Sequence, residues 1–123
     1  MHEFGIVNEI INSVEREVKK RKCSKVLEIH LELGQLMGIQ PETLKFLLKE
    51  MSQGTSLENA KIKINFVLPE VECELKHKSK LKNLKLPEHF HDFPISDLKC
   101  PICGKPVNLL KGNECIIKKI ICK

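Results

Sequence analysis

Apolar residues recur over the first twenty positions at Val7, Ile10, Ile11, Val14 and Val18, with Glu15, Arg16, Glu17, Lys19 and Lys20 between them. Steps of three and four collect the apolar set on one stripe, which predicts an amphipathic helix starting within a few residues of the amino terminus. From Val26 to Leu33 the period changes to two. Leu27, Ile29, Leu31 and Leu33 fall on one side and Glu28, His30 and Glu32 on the other, the pattern of a strand with one wet face. Gly34 and Gly38 bracket a turn, and Pro41–Glu42 opens a second helix, with proline in its tolerated first-turn position. Leu44, Leu47, Leu48 and Met51 form the apolar stripe of that helix, and Gly54 stops it. Ala60, Ile62, Ile64, Phe66 and Leu68 then alternate with Lys61, Lys63 and Asn65 as a second strand.

At Pro69 the texture changes to a Lys-rich stretch that holds Cys73, His77, His89, His91, Cys100 and Cys103. Apolar character returns in Cys115–Cys122, where Ile116, Ile117, Ile120 and Ile121 predict a third core strand. The expected fold is α/β (α+β), two helices packed on a three-stranded mixed sheet, with an inserted small zinc-binding module. Residues 1–69 plus 113–123 would form the core and 70–112 the module.

Composition narrows the function. The 123 residues are 41% hydrophobic and 30% charged, a globular balance. No apolar run approaches the ~18 residues of a membrane span, and the charged first twenty residues do not resemble a signal peptide. A cytoplasmic protein with no membrane partner is expected. In such a reducing compartment, six cysteines point to metal before disulfides. The net charge of +5 is mild, and its excess lies in the second half of the chain.

Cys100-Pro101-Ile102-Cys103-Gly104 carries the sharpest chemical signal. A two-residue gap lets one tight turn aim two sulfurs at one zinc ion, and Gly104 suits the left-handed position where such a turn ends. Two further ligands are needed. Cys73 and His77 supply a stereochemically reasonable arm, with His89, His91 or Cys115 as replacements for the histidine. Cys23, Cys115 and Cys122 read as core or incidental thiols. At the other end of the chain, Met1-His2-Glu3 offers three nitrogens to one metal: the terminal amine, the His2 amide and the His2 imidazole. Planar nitrogen donors suit Ni(II) or Cu(II), with one corner of the square left open. His89 and His91 flank Phe90, and on an extended segment only one of them could reach that corner, His91 being favoured.

Taken in order, Met1-His2-Glu3 ahead of Phe4-Gly5-Ile6-Val7, then Leu31-Glu32-Leu33-Gly34-Gln35-Leu36, Pro41-Glu42, Gly54-Thr55 and Cys100-Pro101-Ile102-Cys103-Gly104 resemble the HypA family over essentially the whole chain. The resemblance implies a nickel metallochaperone of NiFe hydrogenase maturation, not an enzyme. The stretch between Cys73 and Cys100 is similar to the longer insert of archaeal members. By position, the resemblance implies a nickel ligand at His2, with Met1 and Glu3 alongside, and zinc ligands at Cys73, Lys76, Cys100 and Cys103. Lys76 departs from the pattern and raises His77 in its place. The implied partners are a HypB-type GTPase and a hydrogenase large-subunit precursor; the implied cofactor is structural Zn(II), and the cargo is Ni(II).

Two other readings are available. A zinc-ribbon nucleic-acid module is suggested by the knuckle and by Lys76, Lys78, Lys80, Lys82 and Lys85. With no Tyr, no Trp and only two arginines, however, the chain has no stacking platform or bidentate base reader. A zinc hydrolase would need an open coordination position and a general base, and no H-E-x-x-H set occurs.

Overall fold

The computed structural model describes residues 3–82 and 98–123. The order of elements is α1 (Glu3–Arg21), β1 (Val26–Gly34), a 3-10 turn (Gln35–Met37), α2 (Pro41–Met51), β2 (Lys61–Val67), β3 (Glu70–Cys73), β4 (Lys78–Lys80), β5 (Val107–Lys111) and β6 (Cys115–Cys122). Two helices lie on a three-stranded mixed sheet of order β2-β1-β6, so Cys115–Cys122 does return to the core sheet. Val26 N–H donates to the Ser56 carbonyl at 2.8 Å, which brings the start of β1 beside the chain entering β2, and Glu28 and Lys63, each the third residue of its strand, form an ion pair at 3.1 Å. Lys25 and Lys123 exchange backbone hydrogen bonds beside the β1–β6 pair, which runs antiparallel.

The chain forms two compact units. The first contains residues 1–32, 39–65 and 116–123. Its core is the predicted stripe of α1, joined by Ile6, together with Ile29 and Leu31 of β1, Leu44 and Leu48 of α2, and Leu57, Ala60 and Ile62. Leu27, Leu47 and Phe66 are among the residues that depart from their predicted places. Leu27 is exposed while Val26 is buried, Phe66 near the end of β2 is exposed, and Leu47, Met51 and Ile64 are only half-buried. Leu27, Leu47 and Phe66 lie at the border of a buried patch, where strict periodicity no longer decides which side is covered.

The second unit contains residues 33–38 and 66–115. It is built on a second three-stranded sheet, β4-β3-β5, in which both pairings are antiparallel. A small cluster of Leu36, Val71 and Leu98, with Leu81, Val107 and Leu109 against it, forms its core. Gly34 and Gly112 lie back to back here. A Cβ on Gly34 would overlap the Gly112 carbonyl, and one on Gly112, whose φ is 107°, would stand 2.6 Å from the Pro69 Cα. That close approach lets Leu36 N–H donate to the Gly112 carbonyl at 2.8 Å and Gly34 N–H to that of Glu114 at 2.9 Å.

One sequence expectation is corrected. Cys23 and Cys122 are not incidental thiols but are joined in a disulfide, their Cα atoms 5.9 Å apart. Cys23 follows α1 and precedes β1, and antiparallel pairing returns the end of β6 to that same end of β1. Ser24 N–H donates to the Lys123 carbonyl at 2.7 Å, which fixes the two cysteines as neighbours. Their spacing along the chain carries no hint of this.

Candidate metal centre

Two tight turns of the second unit face each other. In the first, β3 ends at Cys73, and Glu74, Leu75 and Lys76 form a three-residue hairpin loop. Lys76 N–H donates to the Cys73 carbonyl at 2.9 Å, and Cys73 N–H donates to the His77 carbonyl at 3.1 Å. Lys76 takes the left-handed position that closes such a loop, with φ 67°. Cys73 and His77 therefore flank the turn as a cross-strand pair and point their side chains to one face, while Lys76 is turned to solvent. Alternation continues along β4, with Lys78 and Lys80 outward and His77 and Ser79 half-buried.

The second turn is the Cys100–Gly104 knuckle. Cys100 N–H donates to the Lys105 carbonyl at 2.9 Å, Gly104 N–H to the Cys100 carbonyl at 2.8 Å, and Gly104 has φ 74°. Ile102 N–H points at the Cys100 sulfur, 3.4 Å away. The glycine and the backbone donor stand as the motif predicts.

Together the turns bring Cys73, His77, Cys100 and Cys103 to one point, every ligand atom within 4.8 Å of every other. Cys103 Sγ lies 3.8 Å from Cys73 Sγ, and Cys100 Sγ lies 3.8 Å from His77 Nδ1. A tetrahedron of ligands ~2.3 Å from zinc has edges of about 3.8 Å, so the spacing suits a four-coordinate ion. Cys73 and Cys100 are buried and Cys103 is exposed at the rim. The donor set of three sulfurs and one imidazole leaves no open position, which marks a structural site.

The electrostatics of the pair on the knuckle are divided. Burial opposes ionisation of Cys100, but the Cys103 and Ile102 backbone N–H groups, the His77 ring and the Cys103 side chain outweigh it and bring the thiol down to about 6. Cys103 has a backbone donor at Lys105, yet burial and the neighbouring Cys100 and Cys73 sulfurs raise its pKa. The site thus presents one ready thiolate to an arriving cation, and binding the ion requires the remaining thiols of the set to give up their protons.

Cys115 is not in this cluster; burial pushes its thiol up to about 11, as for a core cysteine. Glu3 is the half-buried first residue of α1. Met1, His2, His89 and His91 lie outside the described residues.

These features define an α/β protein with a Cys/His cluster on paired turns suited to a structural metal ion. The model of one protein family, described as hydrogenase/urease nickel incorporation, metallochaperone, HypA, matches residues 1–122. The hydrogenase maturation factor HypA of Methanothermobacter thermautotrophicus is 35% identical over 121 residues, covering 98% of this chain and 95% of its own. That of Parabacteroides distasonis is 34% identical over 126 residues, covering 100% and 98%. The solution structure of the Ni metallochaperone HypA from Helicobacter pylori is similar in fold, with a TM-score of 0.69 at 20% identity, covering 99% of this chain and 97% of that one. The chain belongs to the HypA family of nickel metallochaperones in hydrogenase maturation. It is not an enzyme.

Proposed function

We propose that this protein binds Ni(II) at its amino terminus, keeps it exchangeable and hands it to a hydrogenase large-subunit precursor, working with a HypB-type GTPase in the cytoplasm. The Met1 amine, the His2 amide and the His2 imidazole supply three planar donors, with Glu3 alongside. His91, or His89 in its place, fills the fourth corner, so that movement of the insert loosens the metal during transfer. Zn(II) at Cys73, His77, Cys100 and Cys103 is structural. It holds a module, residues 70–112, too short to bury a sufficient core alone, and residues 1–69 and 113–123 form the nickel-binding core.

The observation that carries the reading is the full-length family match, which begins at Met1-His2-Glu3. The ion pairs of the second unit support it over nucleic-acid binding. Among the described residues Lys105, Lys111 and Lys78 each pair with a glutamate, at 3.0, 3.3 and 3.9 Å, which lowers the net positive charge offered there. No helix among the described residues is long and apolar enough to cross a membrane. The test is titration with Ni(II), followed by the absorption of planar nickel. One equivalent should bind, and binding should vanish in His2→Ala and after acetylation of the terminal amine. Unchanged binding in both would sink the assignment, while loss of affinity in His91→Ala but not His89→Ala would identify the fourth donor.

A further inference from the structure

Strand β6 reads Cys115-Ile116-Ile117-Lys118-Lys119-Ile120-Ile121-Cys122, a palindrome, and it forms one edge of the β2-β1-β6 sheet. None of its eight residues is buried, although four are isoleucines, and Ile116 is exposed. Among the described residues nothing pairs with its outer side. Lys123 exchanges hydrogen bonds with Lys25 on the β1 side, so alternation turns the backbone groups of Lys118, Ile120 and Cys122 outward. One outward carbonyl is already served by a side chain. The Arg21 guanidinium, at the end of α1, donates to the Ile120 oxygen at 2.9 Å, supplying the donor that a further strand would bring. Between Ser13, Glu17 and Arg21 on α1 and residues 117–120 on β6 runs an open groove of about 280 Å³.

We propose that the outer edge of β6 is a docking site for an extended segment of a protein partner, added as a fourth strand, with an acidic pair between apolar residues. An unpaired edge supplies main-chain hydrogen bonds, and alternate side chains set the specificity. Here the middle of the edge is Lys118-Lys119, with isoleucines on both sides, while Arg21 beside it is already paired with Glu17 at 2.9 Å and leaves the two lysines as the cations on offer. Acidic residues at the centre of the incoming strand would meet these cations, and its apolar residues would cover the isoleucines. The same lysines select against a second copy of this chain. Antiparallel self-pairing about the palindrome's centre sets the lysines of one copy against those of the other, which is destabilising. The edge is thus guarded against itself and open to a strand of opposite charge.

The test uses the full-length, zinc-loaded protein and a capped hexapeptide with Glu-Glu between Val-Ile pairs; a matching peptide with Lys-Lys at the centre is the control. Binding is read from backbone amide shifts and by calorimetry. The acidic peptide should bind with shifts centred on residues 117–122, at least about tenfold more tightly than the control. The double variant Lys118→Glu/Lys119→Glu should reverse that preference. Ile120→Pro removes one outward N–H while leaving the carbonyl used by Arg21, and it should abolish binding with zinc content and helical circular dichroism unchanged. No binding of either peptide, equal binding of both, or shifts confined to another surface would each overturn the proposal. So would a dimer seen by light scattering that Ile120→Pro dissolves, because the occupant would then be a second copy.

Discussion

Lys76 stands where a second cysteine would complete a C-x-x-C arm, and its backbone conformation explains how the site is completed without one. The residue closes the hairpin loop at φ 67°, a region that costs a side chain with a Cβ about 1–2 kcal/mol relative to glycine. Its role is to form the turn, and the side chain brought to the cluster is that of His77, one position on and the cross-strand partner of Cys73. Lys76→Gly should therefore raise stability by about 1 kcal/mol in denaturant unfolding and leave zinc content unchanged. His77→Ala should lower zinc retention against a chromogenic chelator while leaving the α1 and α2 signals in place. Retention as in the unaltered chain would remove His77 from the ligand set. The thiol balance adds a pH dependence. A thiol whose folded pKa is depressed contributes above the ordinary thiol range, and that contribution is lost as pH falls through the folded value, about 6 for Cys100. Equilibrium zinc affinity, measured by competition with the chelator, should thus fall more steeply once pH drops below about 6, where protons begin to compete for Cys100 as well, and an affinity independent of pH between 7 and 5 would contradict the thiolate assignment.

Elements buried on one face were the legible part of this chain. The α1 stripe and Ile29, Leu31 and Leu33 on the inward side of β1 are found where their periods place them, since each must cover an apolar face, and only Leu27 at the start of β1 departs. The β4-β3-β5 sheet was legible only as a change of texture. Its strands are four, three and five residues long, too short for a period to stand out. They are held by pairing, by the Leu36–Val71–Leu98 cluster and by the turns of the metal centre. Gly34 shows the same limit. The sequence marks it as a turn residue, but its close neighbour Gly112 lies far along the chain, and no local pattern reports such an approach. Gly34→Ala should consequently shift the unfolding midpoint strongly, by more than about 2 kcal/mol, as expected where a new Cβ meets backbone that cannot move aside. Gly54→Ala, with open space around it and only its φ of 81° to accommodate, should cost less. Equal losses at the two positions would mean that the Gly34–Gly112 contact does not hold the second unit's turn.

At the scale of the whole chain, the Cys23–Cys122 bond separates covalent closure from metal binding. Three of the six cysteines meet at the candidate metal centre, Cys115 is a half-buried thiol with a raised pKa, and the remaining two join the end of α1 to the end of β6. They are 99 residues apart, so the bond closes nearly the entire chain into one loop. Closing a loop of that size removes conformational freedom mainly from the unfolded state, and the chain-entropy account puts the effect near ~4.7 kcal/mol, with measured cases commonly ~2–4. Both cysteines belong to the first unit, whose apolar core is sufficient to keep its fold once the bond is cut. Reduction should therefore lower the midpoint of denaturant unfolding by the equivalent of roughly 2–4 kcal/mol, with native circular dichroism and zinc content retained. The double variant Cys23→Ser/Cys122→Ser should unfold at the reduced midpoint whether or not reductant is present. If the unaltered protein unfolds at the same denaturant concentration oxidised and reduced, the bond does not constrain the chain in solution, and the two thiols are neighbours only.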